Sequence, residues 1–256
     1  LYNIILAKFP NNKRAQFQIE LLKPSQQTID KLQEHCRKAQ YDDAMRLALS
    51  LTNDFPQHQF GWKVLGALFR QLGMISQAVN ANQKAVALSP QDSEAHSNLG
   101  VTLKDMGRLE EAEASLSQAM LLSSQDAEVH NNLGNTLKEL GRLEEAEVSL
   151  RQAILLKPKY IDAMINLSLV LDFINDLELA NLELQKVLQI NDDKQGLRAR
   201  VLLAINNFLQ GNFEESKRLL LVSSRIQQNT SVMYKNEILY HRYLLKILEF
   251  HEHKPS

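Results

Sequence analysis

The sequence is short of several things at once. Its 256 residues hold one Cys, 9 Gly and 6 Pro, aromatic residues make up 6%, and 29 Lys and Arg nearly balance 30 Asp and Glu. A formal net charge of -1 leaves no electrostatic footprint for wrapping nucleic acid or coating an acidic membrane. One thiol cannot build an internal disulfide framework, so a reducing, cytoplasmic setting is expected. No uncharged apolar run approaches the roughly 18 to 20 residues that span a bilayer. The scarcity of Gly and Pro argues against disorder and against a turn-rich all-β fold. The first residues, Leu1 to Lys8, read as helical without an initiator Met, and the expectation is a piece of a longer polypeptide. Nothing has the layout of a signal peptide.

What the chain does have is self-similarity. Ser93–Asp126 and Ala127–Tyr160 agree at about 21 of 34 positions, a period typical of helical repeats. Small residues recur where two helices must cross closely: Gly66, Gly100, Gly134 and Ser168. A second small series is Ala44, Ala78, Ala112, Ala146 and Ala180, and a third is Ala85, Ala119 and Ala153, with Val187 departing. Prolines close units at Pro10, Pro56, Pro90 and Pro158. Each unit reads as two amphipathic helices joined by a tight turn. In the clearest one Leu133, Leu137 and Leu140 make an apolar stripe, and Gly141 sits where a left-handed residue ends the helix. The second helix buries Ala146, Leu150, Ala153 and Ile154, and Pro158 ends it. One hairpin cannot bury both faces, so the units must stack.

The pattern Trp62, Leu65-Gly66, Phe69, Gly73, Ala78, Ala85, Pro90 resembles the tetratricopeptide repeat (TPR). The resemblance covers units at about 25–58, 59–92, 93–126, 127–160 and 161–194, and a degenerate unit at 197–230, displaced by two residues, whose turn is fixed by Gly211. It implies an all-α fold, a right-handed TPR helical-hairpin solenoid. Leu1–Asn12 resembles the back half of an earlier repeat, and Lys13–Pro24 reads as an insertion or linker helix, making 1–24 a partial repeat plus insertion. Residues 231–256 resemble the capping helix and tail that close such arrays, with Met233–Phe250 as the helix.

Helical projection of the first helix of each unit separates a packing stripe from an opposite stripe. That second stripe carries Glu128, Asn132, Asn135 and Glu139, with Asn131 and Lys138 beside it. One period earlier it carries Glu94, Asn98, Val101 and Asp105, with Lys104 beside it; one period later, Asp162, Asn166, Leu169 and Phe173. In 59–92 it is Phe60, Val64, Ala67 and Gln71, flanked by Lys63 and Arg70, and in the last unit Leu202, Ile205 and Leu209. Asn98, Asn132 and Asn166 stand one period apart. An amide can donate to a peptide carbonyl and accept from a peptide N–H, which is chemistry for holding an extended chain irrespective of its side chains. This spacing resembles the asparagine ladder in the TPR arm of O-linked N-acetylglucosamine transferases, and the resemblance implies a peptide-binding groove. The same Asn positions also serve as ordinary scaffolding in generic repeats, and both readings stand. The carboxylate clamp of chaperone-binding TPR domains does not fit: the corresponding positions hold Lys63, Ala67, Asn98, Glu128 and Asn132, and a carboxylate ligand would meet Glu94 and Glu128. The acidic groups, offset by Lys104 and Lys138, favour a neutral to basic peptide.

No catalytic constellation stands out. The glycines are at repeat spacing, so no phosphate-cradling loop exists. His96 and His130 occupy the place of Trp62 and read as packing residues; His251-Glu252-His253 lacks four-ligand spacing. Cys36 reads as a small buried helix residue, and the glycosylation patterns at Asn166 and Asn229 as accidental. No metal or cofactor is expected. The expected function is a non-enzymatic protein-interaction scaffold that binds a peptide segment. The alternatives are a substrate-recognition arm of a larger transferase and a self-association module.

Overall fold

The computed structural model describes residues 8–10, 23–190 and 194–228. Among these it contains twelve helices and no strand: α1 Gln26–Arg37, α2 Tyr41–Asp54, α3 Gln59–Gln71, α4 Ile75–Leu88, α5 Ser93–Asp105, α6 Leu109–Leu122, α7 Ala127–Glu139, α8 Leu143–Leu156, α9 Ile161–Phe173, α10 Leu177–Ile190, α11 Lys194–Leu209 and α12 Phe213–Gln228. They form consecutive helical hairpins. The helix expected at Met233–Phe250, the tail and most of the expected partial repeat and insertion lie outside the described residues. Two compact units divide the chain, one up to Ser124 and one from Gln125.

The hairpin turns follow from backbone chemistry. Helix α5 ends at Met106; the N–H of Gly107 then bonds the Lys104 carbonyl at 2.8 Å and that of Arg108 the Leu103 carbonyl at 2.9 Å. Gly141 and Arg142 repeat this with Lys138 and Leu137 at 3.0 and 2.9 Å. This reversal needs a residue of positive φ just past the helix. Gly73, Gly107, Gly141 and Gly211 supply it, as do two residues with side chains, Ala39 at 53° and Asn175 at 63°. The first five positions fall at one spacing of 34 residues, and Gly211 comes two residues late.

The first helices α1, α5 and α7 start on side-chain caps, whereas α3 and α9 have none. Asp92 accepts from the Ala95 N–H at 3.1 Å, Asp126 from the Glu128 N–H at 2.9 Å, and Ser25 from the Thr28 N–H at 3.2 Å. Second helices α6 and α8 have no such cap; paired acids in their first turns, Glu110-Glu111 and Glu144-Glu145, favour the positive helix end instead. Glu111 and Glu145 are also held by Arg108 and Arg142 at 2.7 and 2.6 Å.

Within a hairpin the helices touch through a missing Cβ. A methyl placed on Gly100 would lie 2.6 Å from Leu116 Cγ, and one on Gly134 2.6 Å from Leu150 Cγ. Both leucines are fully buried, each contributing about 1.5–3 kcal/mol by leaving water. Ser168 takes the glycine place in the next hairpin, buried, with its hydroxyl donating to the Ile165 carbonyl at 2.8 Å. In the first unit Leu32, Leu51, Leu65 and Leu68 form a core with Ala44 and Ala48. In the second, Ile165, Leu184, Val187, Leu203 and Leu220 belong to another. Leu133 and Leu137 are buried as their stripe requires, whereas Ile154 is only partly so.

Candidate functional site

In the first unit, helices α1, α2, α3 and α5 line a cleft of about 510 Å³. Its walls are apolar: Phe60, Val64, Ala67 and Leu68 come from α3, Cys36 from α1 and Tyr41 from α2. Lys63 crosses from α3 to α5, where its ammonium meets Glu94 and, at 3.1 Å, Asp92. Asp92 is a hub that caps α5, accepts from Gln59 Nε2 at 2.7 Å and holds Lys63. Burial pushes its carboxyl up, but the bonds from Lys63, Ala95 and Gln59 outweigh this and hold it below the usual range. Further along, Arg70 Nε donates to Asp105 at 2.6 Å, and Lys104 lies 3.5 Å from the same carboxylate.

Asn98 sits half-buried at the edge of this cleft. Its backbone carbonyl accepts from Thr102 Oγ1 at 2.7 Å and Asn82 Nδ2 at 3.3 Å, while its side-chain amide makes no hydrogen bond among the described residues. Asn82 lies on α4 where α6, α8 and α10 carry Leu116, Leu150 and Leu184. It is almost fully buried, bonds Thr102 at 2.9 Å through Nδ2, and leaves its Oδ1 without a partner.

The second unit carries the other three amides. Asn132 and Asn135 are half-buried on α7, with Glu128 and Glu139 exposed at either end and Lys138 half-buried between. The buried neighbour Asn131 changes what they can do. Its Oδ1 accepts from Asn166 Nδ2 at 2.9 Å and its Nδ2 reaches Asn132 Oδ1 at 3.5 Å. Asn166 therefore has one amide proton committed inside the protein, Asn132 keeps its donor, and Asn135 forms no hydrogen bond among the described residues. Asn131 also bonds Tyr160. Burial, with the nearby carboxylates of Glu128, Asp162 and Asp126, pushes that phenol up to about 12. Three carboxylates thus lie near the Tyr160 phenol. The Lys157 ammonium lies over the Tyr160 ring, 4.5 Å from its centre.

His96 and His130 sit within the packing of the repeat. His96 Nε2 lies 3.0 Å from the Pro90 carbonyl, repeating the bond that Trp62 Nε1 makes to Pro56 at 3.0 Å, and His130 is buried. No group of three or more potential metal ligands occurs among the described residues, and none of their helices is long and apolar enough to cross a membrane. Residues 251–253 lie outside them.

Residues 91–159 match the family model described as tetratricopeptide repeat, and residues 66–107 one described as TPR repeat. The fold is all-α, consecutive helical hairpins of the TPR type, a helical-repeat scaffold. Among solved structures, PilW, described as a widely conserved type IV pilus biogenesis factor, is 17% identical with a TM-score of 0.74, over 81% of this chain and 97% of its own. MamA from Desulfovibrio magneticus RS-1 is 20% identical with a TM-score of 0.58, covering 64% and 92%. YrrB, described as a TPR protein with an unusual peptide-binding site, is 15% identical with a TM-score of 0.57, covering 78% and 97%. At these identities the likeness is one of fold. No curated protein matches the chain. The family models carry the repeat and nothing narrower, so the likeness to transferase arms rests on the sequence alone.

Proposed function

We propose that the chain is a non-enzymatic interaction scaffold whose first helices hold an extended peptide by its backbone. The observation that carries this is the state of the amides. Asn98 and Asn135 are half-buried with donor and acceptor uncommitted among the described residues, and Asn132 keeps its donor. A half-buried amide that serves no internal bond is free to exchange water for the N–H and C=O of a peptide backbone, a net gain of about 0.5–1.5 kcal/mol per bond. YrrB, of the same fold, is described by its peptide-binding site. In the second unit Glu128, exposed on the same helix as Asn132 and Asn135, favours a basic residue in the ligand by charge complementarity. The single thiol suits a reducing compartment, and we propose the cytoplasm for the scaffold.

The test is a peptide array probed with the purified chain, followed by titration of the strongest binder against Asn98→Ala and, separately, Asn132/Asn135→Ala. Each lost backbone bond costs about 0.5–1.5 kcal/mol, so binding should weaken by about twofold to tenfold in Asn98→Ala for a ligand of the first unit, and by about fivefold to a hundredfold in Asn132/Asn135→Ala for a ligand of the second. Unchanged affinity, with unchanged circular dichroism, would remove the amides from the site. Adding Asn166→Ala should weaken binding further only slightly, because one of its protons serves Asn131.

A further inference from the structure

The cleft of the first unit has a composition that selects its occupant. Its walls are aliphatic, aromatic and thiol groups, and its volume of about 510 Å³ falls in the range of sites that take organic ligands, with room for more than one side chain. Lys63 and Glu94 are the only charged residues that line it, and they are paired with each other. The Lys63 side chain is 16% exposed and is held by a second carboxylate, Asp92. An anionic ligand would have to draw Lys63 from two carboxylates, and a cationic one would have to displace Lys63 from Glu94. Either exchange gives up an existing ion pair and desolvates a new charge. An uncharged apolar group breaks no pair and removes exposed hydrocarbon from water. The polar rim is made of amides, Gln33, Gln71 and Asn98, which match a peptide backbone and not a charged side chain. An adjoining cleft of about 450 Å³ shares Gln33, Cys36, Phe60 and Val64 and adds one charge, Arg37, at its edge.

We infer that this cleft is an anchor pocket for adjacent large apolar, uncharged side chains of an extended peptide, with the Lys63–Glu94 pair acting as a filter against charged residues. The inference deepens the peptide-binding reading and rests on it. It concerns the first unit alone, whose cleft favours neither sign of charge.

Cys36 gives a direct reading, because it is the only thiol in the sequence and lines the cleft. Burial pushes that thiol up, so its alkylation by N-ethylmaleimide is best followed at mildly alkaline pH. The probes are three blocked peptides: acetyl-Gly-Ser-Leu-Phe-Ser-Gly-amide and the versions with Lys-Lys or Asp-Asp in place of Leu-Phe. The apolar peptide should slow alkylation at least tenfold at saturation, and neither charged peptide should slow it twofold. Ala67 is exposed and lines the cleft, so Ala67→Trp should fill it with the fold intact by circular dichroism and abolish calorimetric binding of the apolar peptide. Equal or better protection by a charged peptide overturns the inference. An alkylation rate that the apolar peptide leaves unchanged also overturns it: if that rate is independent of protein concentration the chain covers its own cleft, and if concentration-dependent a second copy does. Asn98→Ala separates the two readings. Loss of apolar binding in Ala67→Trp with full binding in Asn98→Ala leaves the anchor standing and removes the amide grip; the reverse pattern removes the anchor alone.

Discussion

Asn166 Nδ2 donates to Asn131 Oδ1 across 2.9 Å, joining α9 to α7 through two amides 35 residues apart in sequence. An amide series with regular spacing is therefore partly internal structure in the second unit, and its members are not equivalent. Asn131 is buried, and its loss would leave both Asn166 and Tyr160 without their bond. Asn131→Ala should destabilise the protein by about 1–3 kcal/mol, the cost of stranding buried polar groups. Asn98→Ala should be neutral or slightly stabilising, because Ala favours helix and no internal bond of that side chain is lost. Urea denaturation of the two variants against wild type checks this. Equal destabilisation would show that Asn98 is as internal as Asn131.

Asn82 stands where the three following hairpins bury leucine and the preceding one buries Ala48, and its Oδ1 has no partner. Gly66, which it abuts, lacks a Cβ just as Gly100 does opposite Leu116, so the site has the shape that accepts Leu. Thr102 also donates to the Asn98 carbonyl and keeps that bond when Asn82 is replaced. Asn82→Leu should stabilise by about 1–2 kcal/mol by removing an unsatisfied buried group and adding buried hydrocarbon. Asn82→Ala should destabilise through the cavity it leaves. Melting temperatures that fall in both variants would mean the amide bond to Thr102 outweighs the stranded oxygen.

Ala39 holds a left-handed conformation that costs a side-chain-bearing residue about 1–2 kcal/mol. Ala39→Gly should therefore raise stability by about 0.5–1 kcal/mol after the greater chain entropy of glycine is allowed for. Asn175→Gly should be near neutral, since Asn tolerates this region. Gly141→Ala should lower stability by about 1–2 kcal/mol although nothing lies within 4 Å of the added methyl. A loss in Ala39→Gly would argue that some contact of that methyl matters more than the backbone.

These turns show what was legible in the sequence. The spacing that carries Gly73, Gly107 and Gly141 also locates Ala39 and Asn175, and the two-residue lag of Gly211 is visible in the sequence and in the backbone. Repetition reveals whatever each hairpin must do: close helix crossings, caps at Asp92 and Asp126, the ring bonds of Trp62 and His96. It is silent on what only one hairpin does. Asn131 follows Ser97 and precedes Ile165 in its column, so no recurrence marks its role. Asn82 was readable, as a polar residue in a column that otherwise holds Ala48, Leu116, Leu150 and Leu184. The Lys63–Glu94 pair joins adjacent first helices from positions 31 residues apart, three short of the period, a spacing that counting one helix at a time does not examine. The cleft at Cys36 depends on four helices at once and has no local signal.

Asp172 supplies the pH test. Asn206, itself almost fully buried, donates through Nδ2 to Asp172 Oδ1 at 2.9 Å and to Asn181 Oδ1 at 3.0 Å. Burial pushes the Asp172 carboxyl up to about 6, with the Asn206 bond opposing the rise. A folded-state value above the unfolded one means the protonated form is favoured by folding. Its contribution is fully present below the ordinary aspartate value of about 4 and is lost as pH rises through about 6. At neutral pH the charged group is a liability of about 1–2 kcal/mol, allowing for partial solvent screening. Asp172→Asn keeps an acceptor for Asn206 without the charge. The variant should be more stable than wild type at pH 7.5, and the difference should shrink through pH 6 and vanish near pH 4. Chemical denaturation at those three values reads it directly. A difference that persists at pH 4 would assign the effect to packing, and no difference at pH 7.5 would mean that solvent reaches the carboxylate and the Asn206 bond holds it charged.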